Sequence, residues 1–233
     1  YVRIVNGVVD LGAYEYGATA PVTFQGRVWE DSDGDGVQDA SESGYGSVTI
    51  NLSGAATRST TTTSDGSYSF QGLLGGSYDL TLQVPAINFR RSAPDQGGND
   101  ALDSDFNADT GQISVAPVGG ETFVFDGGLI RLPILVTTAV DENDGAGQGS
   151  GASLREAVAI AQLDSGADRI EFAAALAGQT LLLSSNGAGA ESPSALVVST
   201  PITISGDSPT GITLARDTSI ANLRLFRVTP TGS

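Results

Sequence analysis

From residue 21 to about residue 131, apolar and polar positions alternate in short runs separated by glycine, aspartate and serine. A period of two with such breaks predicts strands that bury one face and wet the other. Residues 23–30 form the first run, and in 47–53 Val48, Ile50 and Leu52 share a face. Residues 57–63 are a threonine-rich strand, polar enough for a sheet edge. Asp65-Gly66 is a hairpin turn into 67–73, where Tyr68 and Phe70 point one way. Residues 77–84 keep Tyr78, Leu80, Leu82 and Val84 in phase. With 112–116 and 121–130 the total is about seven strands, the pattern of a two-sheet sandwich.

The chain on either side reads differently. Residues 1–17 hold a strand-like run, an Asn6-Gly7 turn and a second apolar run, too little to bury a core alone. Residues 132–135, with Pro133, read as a short linker. A strand and a Gly-rich acidic loop then lead into the one convincing helix. There Ser153 and Glu156 have capping-box spacing, and Leu154, Val158 and Ala161 share a face. Short apolar runs follow at 169–173, 180–184, 196–199, 202–205, 212–215 and 225–228. A helix followed by strands at roughly rung spacing suits the opening of a parallel β-helix.

Acidic residues bring in chemistry. Residues 31–42, DSDGDGVQDASE, fit the calcium-loop pattern D-x-[DN]-x-[DN]-G-x₅-E at every specified place. Calcium takes six to eight oxygens. Asp31, Asp33 and Asp35 each offer a carboxylate, Val37 a main-chain carbonyl, Asp39 a direct or water-mediated contact and Glu42 a bidentate carboxylate, while Gly36 makes the turn. A second cluster, Asn99, Asp100, Asp103 and Asp105, with Asn107 and Asp109 further along, lies in a long connection from 90 to 111, and Asp126 is a candidate to join it. A loop of this length needs something to order it, and calcium is the candidate. This cluster has no fixed ligand period, so a solvated acidic loop is the alternative. The same alternative is preferred for Asp141, Glu142, Asn143 and Asp144. Trp29 reads as a packing residue and Arg90-Arg91 as a surface pair.

Absences narrow the chemistry further. The 233-residue chain has no Cys, His or Met, and its eleven basic residues are all Arg. Disulfides, Cys/His zinc sites, His-based triads and Schiff-base lysines are therefore excluded within it. A net charge of −16 argues against nucleic acid and anionic membrane surfaces as partners and favours cations. A saline habitat or plain solubility is the alternative source of the acidity. No stretch is long enough to span a bilayer, so no membrane insertion is expected. Neither end resembles a natural terminus, and the chain is expected to be a segment of a longer or processed protein.

Three resemblances add to this reading. The succession GRVWEDSDGDGVQDASESGYGSVTINL, TTSDGSYSFQGLLGGSYDLTL, DQGGNDALDSDF and FDGGL, over about 24–130, resembles the B-type (SdrD B-like) domains of serine-aspartate-repeat surface adhesins. The resemblance implies an immunoglobulin-like or prealbumin-like sandwich, dependence on calcium with further ions near the D-S-D string, and a rigid spacer's role. VNGVVDLGAYEYG resembles the closing segment of bacterial secreted right-handed parallel β-helix domains. Residues 136–172 resemble the CSLREA-type entry segment of such proteins, with Ala152 where that motif has cysteine. The expected organisation is all-β: closing β-helix strands over 1–20, a calcium-binding sandwich over 21–131 and a partial right-handed parallel β-helix with one capping helix over 132–233.

The expected function is structural, a calcium-rigidified segment of an extracellular adhesin-like protein, secreted or on the cell surface. Its partners are neighbouring domains of a longer chain, or further copies joined head to tail into filaments by strand donation. An enzyme is not expected. A β-helix glycosidase or lyase could run on carboxylates, but the acidic residues here cluster in metal-type spacing. A module that binds glycans or host proteins is the remaining alternative, without a row of exposed aromatics to favour it.

Overall fold

The computed structural model describes residues 4–5, 8–9, 20–85, 88–145, 148–184, 194–206, 210–219 and 222–229. Its contacts divide the chain into two units, Tyr1–Arg131 and Leu132–Ser233. At the start, β1 (Ile4–Val5) and β2 (Val8–Val9) pair antiparallel, Ile4 opposite Val9. The expected Asn6-Gly7 turn, and most of the run resembling a β-helix ending, lie outside the described residues.

The first unit continues through β3 (Val22–Glu30), β4 (Thr49–Gly54), β5 (Arg58–Thr61), β6 (Ser67–Leu73) and β7 (Tyr78–Leu82). It ends with β8 (Phe89–Arg91), β9 (Gln112–Val115), β10 (Thr122–Val124) and β11 (Gly127–Arg131). One sheet has the order β5-β4-β7-β9, so the threonine-rich strand is at an edge as its polarity requires. The other is β10-β3-β11-β8, with β6 also paired to β3. Strand β6 alternates as expected, Tyr68 and Phe70 inward between exposed Ser67, Ser69 and Gln71. Phe24, fully buried, packs edge-on to Tyr78 with ring centroids 5.3 Å apart. Burial of one such side chain contributes about 1.5–3 kcal/mol.

Two details depart from the sequence reading. The run 121–130 is not one strand. It breaks at Phe125 and Asp126 because β10 pairs with residues 23–25 of β3 and β11 with residues 28–30, both parallel. The Arg90-Arg91 pair is in β8, antiparallel to β11. Arg91 is more than a surface charge: Nε and Nη2 donate to the Leu82 carbonyl at 3.0 and 2.7 Å, and partial burial lowers its pKa.

In the second unit, β12 (Ile134–Val136) pairs with β13 (Asp168–Phe172), so Ile134 and Leu135 belong to a strand and not a linker. Between them runs α1 (Leu154–Ala161). Both capping-box bonds are present: Glu156 N–H donates to Ser153 Oγ at 3.2 Å, and Ser153 N–H to Glu156 Oε2 at 2.9 Å. Leu154, Val158 and Ala161 are buried. The remaining strands are β14 (Thr180–Leu183), β15 (Ser194–Val198), β16 (Ile202–Ser205), β17 (Thr213–Arg216) and β18 (Arg224–Val228). All pairs here are parallel, β12-β13-β16, β14-β17 and β15-β18. The all-β expectation thus holds, but the described sheets are not a solenoid. The described strands form separate sheets of three, two and two strands, too shallow to make a continuous stack.

The acidic loop before α1 is organised by its own bonds. Asp141 makes a two-pronged ion pair with Arg155, Nε to Oδ1 at 2.9 Å and Nη2 to Oδ2 at 3.0 Å, and it accepts Ser184 N–H. Glu156 accepts the N–H groups of Asp144 and Gly145.

Candidate metal centre

Strand β3 ends at Glu30 and delivers the chain into the first acidic loop. The carboxylate oxygens of Asp31, Asp33 and Asp35 come within 4.8 Å of one another. Asp31 is fully buried: Oδ1 accepts Gly34 N–H at 2.7 Å, and Oδ2 accepts Gly36 N–H at 3.0 Å and the Ser92 hydroxyl. Asp33 and Asp35 are exposed and bond only to nearby main-chain N–H groups. Glu42 closes the loop, Oε1 taking Ser32 N–H at 2.6 Å and Oε2 taking Asp39 N–H at 3.1 Å. The side chains of Asp39 and Glu42 are outside the three-carboxylate group, and Asp39 is exposed. Gly36 has φ +81°, and a Cβ there would lie 2.7 Å from the Ala93 carbonyl oxygen, so the turn requires glycine. Val37 faces Asp103 as a main-chain bridge.

The second group is Asp100, Asp103 and Asp105, again with oxygens within 4.8 Å. Asp126 is beside it: its N–H donates to Asp105 Oδ2 at 2.5 Å, and its own Oδ1 accepts Arg27 N–H at 2.6 Å. Asn99 and Asn107 accept main-chain N–H groups. Asn99 accepts Ala101 N–H, and Asn107 caps a turn by accepting the N–H groups of Asp109 and Thr110. Asp103 Oδ1 is buried without a hydrogen-bond partner. An orphan anionic oxygen of this kind is costly unless a cation or water meets it. Nearby Trp29 is wholly buried, as a packing residue should be.

Crowding has an electrostatic signature. Burial, with the Asp126, Asp100 and Asp103 charges adding, raises the Asp105 pKa to about 7 against the Asp126 N–H bond. Burial likewise raises Asp126 to about 6, opposed by the Arg27 N–H and charge. Asp103 is raised by burial, then by Asp100 and Asp95. Below these values the fold holds protons that the unfolded chain, at 3.8, has released. In chelator, stability should therefore fall as the pH rises from about 4 to about 7. Urea midpoints between pH 4.5 and 7.5 check this, and Asp105→Asn should flatten the profile.

The donors fit a hard cation. Both clusters present oxygen alone, and carboxylates this close repel one another unless protonated or bridged. They do not fit zinc or copper, which favour nitrogen and sulfur.

Against this geometry the comparisons with known proteins are specific. Residues 23–128 match the SdrD B-like domain family. The B-like match covers the sandwich and both acidic clusters. Serine-aspartate repeat-containing protein F of Staphylococcus epidermidis (strain ATCC 12228 / FDA PCI 1200) is 33% identical over 132 residues, 55% of this chain and 8% of the relative. Serine-aspartate repeat-containing protein D of Staphylococcus aureus (strain Newman) is 32% identical over 117 residues, 47% of this chain and 9% of the relative. The chain thus spans less than a tenth of these curated relatives' length. The minor pilin GBS52 of Streptococcus agalactiae aligns over 50% of this chain and 47% of its own, at 13% identity and TM-score 0.32, too low to carry an argument. The relatives are extracellular surface proteins, the localisation expected above. No helix among the described residues is long and apolar enough to cross a membrane.

Proposed function

We propose that this chain is a structural segment of an extracellular adhesin-like surface protein, and that calcium stiffens its B-like sandwich. The observation that carries the reading is the pair of three-carboxylate groups on one domain, the second with a buried, unpartnered oxygen at Asp103. Asp31, Asp33, Asp35 and Glu42, with the Val37 carbonyl, would hold one ion, Asp39 contributing through water. Asp100, Asp103 and Asp105, with Asp126, would hold the other. A bound divalent cation supplies positive charge that lets the crowded carboxylates ionise together. The chain's own part is to close the loops over it: Asp31 by accepting Gly34 and Gly36, and Glu42 by accepting Ser32 and Asp39. A spacer needs stiffness more than a pocket, and the two loops meet at the Val37–Asp103 bridge. Limited proteolysis tests this. Cleavage should fall first between Asp95 and Asp109 in chelator and be suppressed in millimolar calcium. Equal cleavage in both would contradict the reading.

The second unit supports a finer proposal. β13, β14 and β15 pair in order with β16, β17 and β18. We read the two series as successive coils at the opening of a parallel β-helix, with α1 as its cap. Each strand of the second series has one partner among the described strands, leaving an edge that a further strand could extend. Strand donation from another copy would fill that edge and yield filaments. Deleting residues 1–17 should then abolish filaments seen by electron microscopy while the sandwich stays folded. Filaments that survive the deletion exclude donation from that segment.

A further inference from the structure

The hairpin from β5 to β6 passes from one sheet of the sandwich to the other, and its strands do not pair beyond the turn. At the turn, Thr63 N–H donates to the Ser67 carbonyl at 2.9 Å and Gly66 N–H to the Thr63 carbonyl at 2.8 Å. The next pairs of such a ladder, Thr61 with Ser69 and Ser59 with Gln71, are not formed: among the described strands β5 pairs only with β4 and β6 only with β3. Main-chain groups alternate in direction along a strand. Thr62 N–H donates to the Val48 carbonyl, towards β4, and the Gly66 carbonyl accepts Val28 N–H, towards β3. Residues 59 and 61 of β5, and 69 and 71 of β6, therefore direct their N–H and C=O groups into the seam. Among the described residues one of these groups has a partner, the Gln71 carbonyl, which accepts Arg58 Nη1 at 2.7 Å. The seam opens into a groove of about 600 Å³ whose lining includes Thr60, Thr61 and Thr63 on one side and Ser67, Ser69 and Gln71 on the other.

We infer that this groove binds an extended segment of another polypeptide, one carrying Lys or Arg, which adds as a strand to the free edge of β6. An unpaired edge is ordinarily protected by charge, proline, a bulge or a covering segment. Here β5 (RSTT) and β6 (SYSFQGL) hold no proline, and their single charge, Arg58, is at the open end. Free donors and acceptors on alternate residues match the backbone of an extended chain, and small hydroxyl side chains leave room for those of the guest. A sugar is the poorer match, because the groove offers no exposed ring: Tyr68 is 5% exposed and gives its hydroxyl to the Phe125 carbonyl at 2.7 Å. Charge then selects the guest. Asp65 marks the closed end, where hydrogen bonds from the Thr63 and Ser67 hydroxyls lower its pKa to about 2, so it is ionised at physiological pH. The chain's net charge of −16 favours a basic partner here over a second copy. None of this depends on a bound cation.

Fluorescence anisotropy tests this, using the whole chain at physiological salt and labelled peptides of about ten residues that alternate Lys with Ser, Thr or Val. At least one peptide should bind, and hydrogen exchange at the Ser69 and Gln71 amides should slow when it does. The same peptide with every main-chain nitrogen methylated keeps its charges but has no main-chain donor, and should bind at least about tenfold more weakly. Ser69→Pro removes one outward N–H at a sheet edge, where proline is tolerated, and should also weaken binding about tenfold. Ser69→Arg leaves the backbone intact and should weaken binding by charge, which separates loss of the site from loss of the fold. Equal binding of the methylated peptide would show attraction by charge alone and overturn strand addition. Failure of every peptide to bind the unsubstituted chain overturns the inference outright. So does binding of a neutral glucan oligosaccharide in their place, which would reassign the groove to glycans.

Discussion

Replacing Asp33 and Asp35 together by Asn is expected to abolish the stabilisation that calcium gives the sandwich at the first loop, with the melting temperature in chelator almost unchanged. These two are the right choice because they are exposed and bond only to neighbouring N–H groups. Asp31 is a poorer probe. It is buried and holds Gly34, Gly36 and Ser92, so its removal would destabilise the calcium-free fold as well. An ion that binds only the folded state stabilises it by about 2.7 kcal/mol when its concentration is 100 times Kd. For a domain of about 100 residues that is on the order of 10–20 °C. Calorimetric melts in calcium and in chelator decide the matter. An unchanged calcium-dependent rise in the variant would refute the assignment of Asp33 and Asp35 as ligands.

Arg155→Met should cost the second unit about 3–5 kcal/mol, because it removes the guanidinium paired with Asp141 in a site where the Asp141 side chain is 3% exposed. The guanidinium also donates to the Ala195 carbonyl at 2.6 Å, so β15 loses a tie to α1. Adding Asp141→Asn should recover part of the loss, since the remaining group is neutral. The chain's single tryptophan, Trp29, is in the sandwich, which allows the two units to be followed separately. Urea unfolding by Trp fluorescence should be unchanged in Arg155→Met, whereas far-UV circular dichroism should show a transition moved to lower urea. A common shift in both signals would contradict a loss confined to the second unit.

Legibility in the sequence followed the range of the interactions. The clustering of Asp31, Asp33 and Asp35 was readable because their spacing and the glycine turn are local, and α1 because its capping box needs only Ser153 and Glu156. Alternation located most sandwich strands, since a buried face imposes it. It could not find β8, three residues long and without a full period. Nor could it show the break between β10 and β11, which is set by pairing with two halves of β3. The partners of the acidic residues were also hidden: Ser92 reaches Asp31 across 61 positions and Arg27 reaches Asp126 across 99. Nor could alternation show that the Asn107 side chain caps a turn by accepting the Asp109 and Thr110 N–H groups. The pattern of short strands after α1 gave their places and suited parallel pairing, while which strand pairs with which came only from the fold.

The most direct test of calcium binding is native mass spectrometry of the whole chain, stripped with chelator and returned to millimolar calcium. The account predicts at least two calcium ions per chain, with one lost in Asp33→Asn/Asp35→Asn. A chain that gains no calcium under these conditions would contradict it, leaving the clustered carboxylates to be explained by protonation and solvation alone.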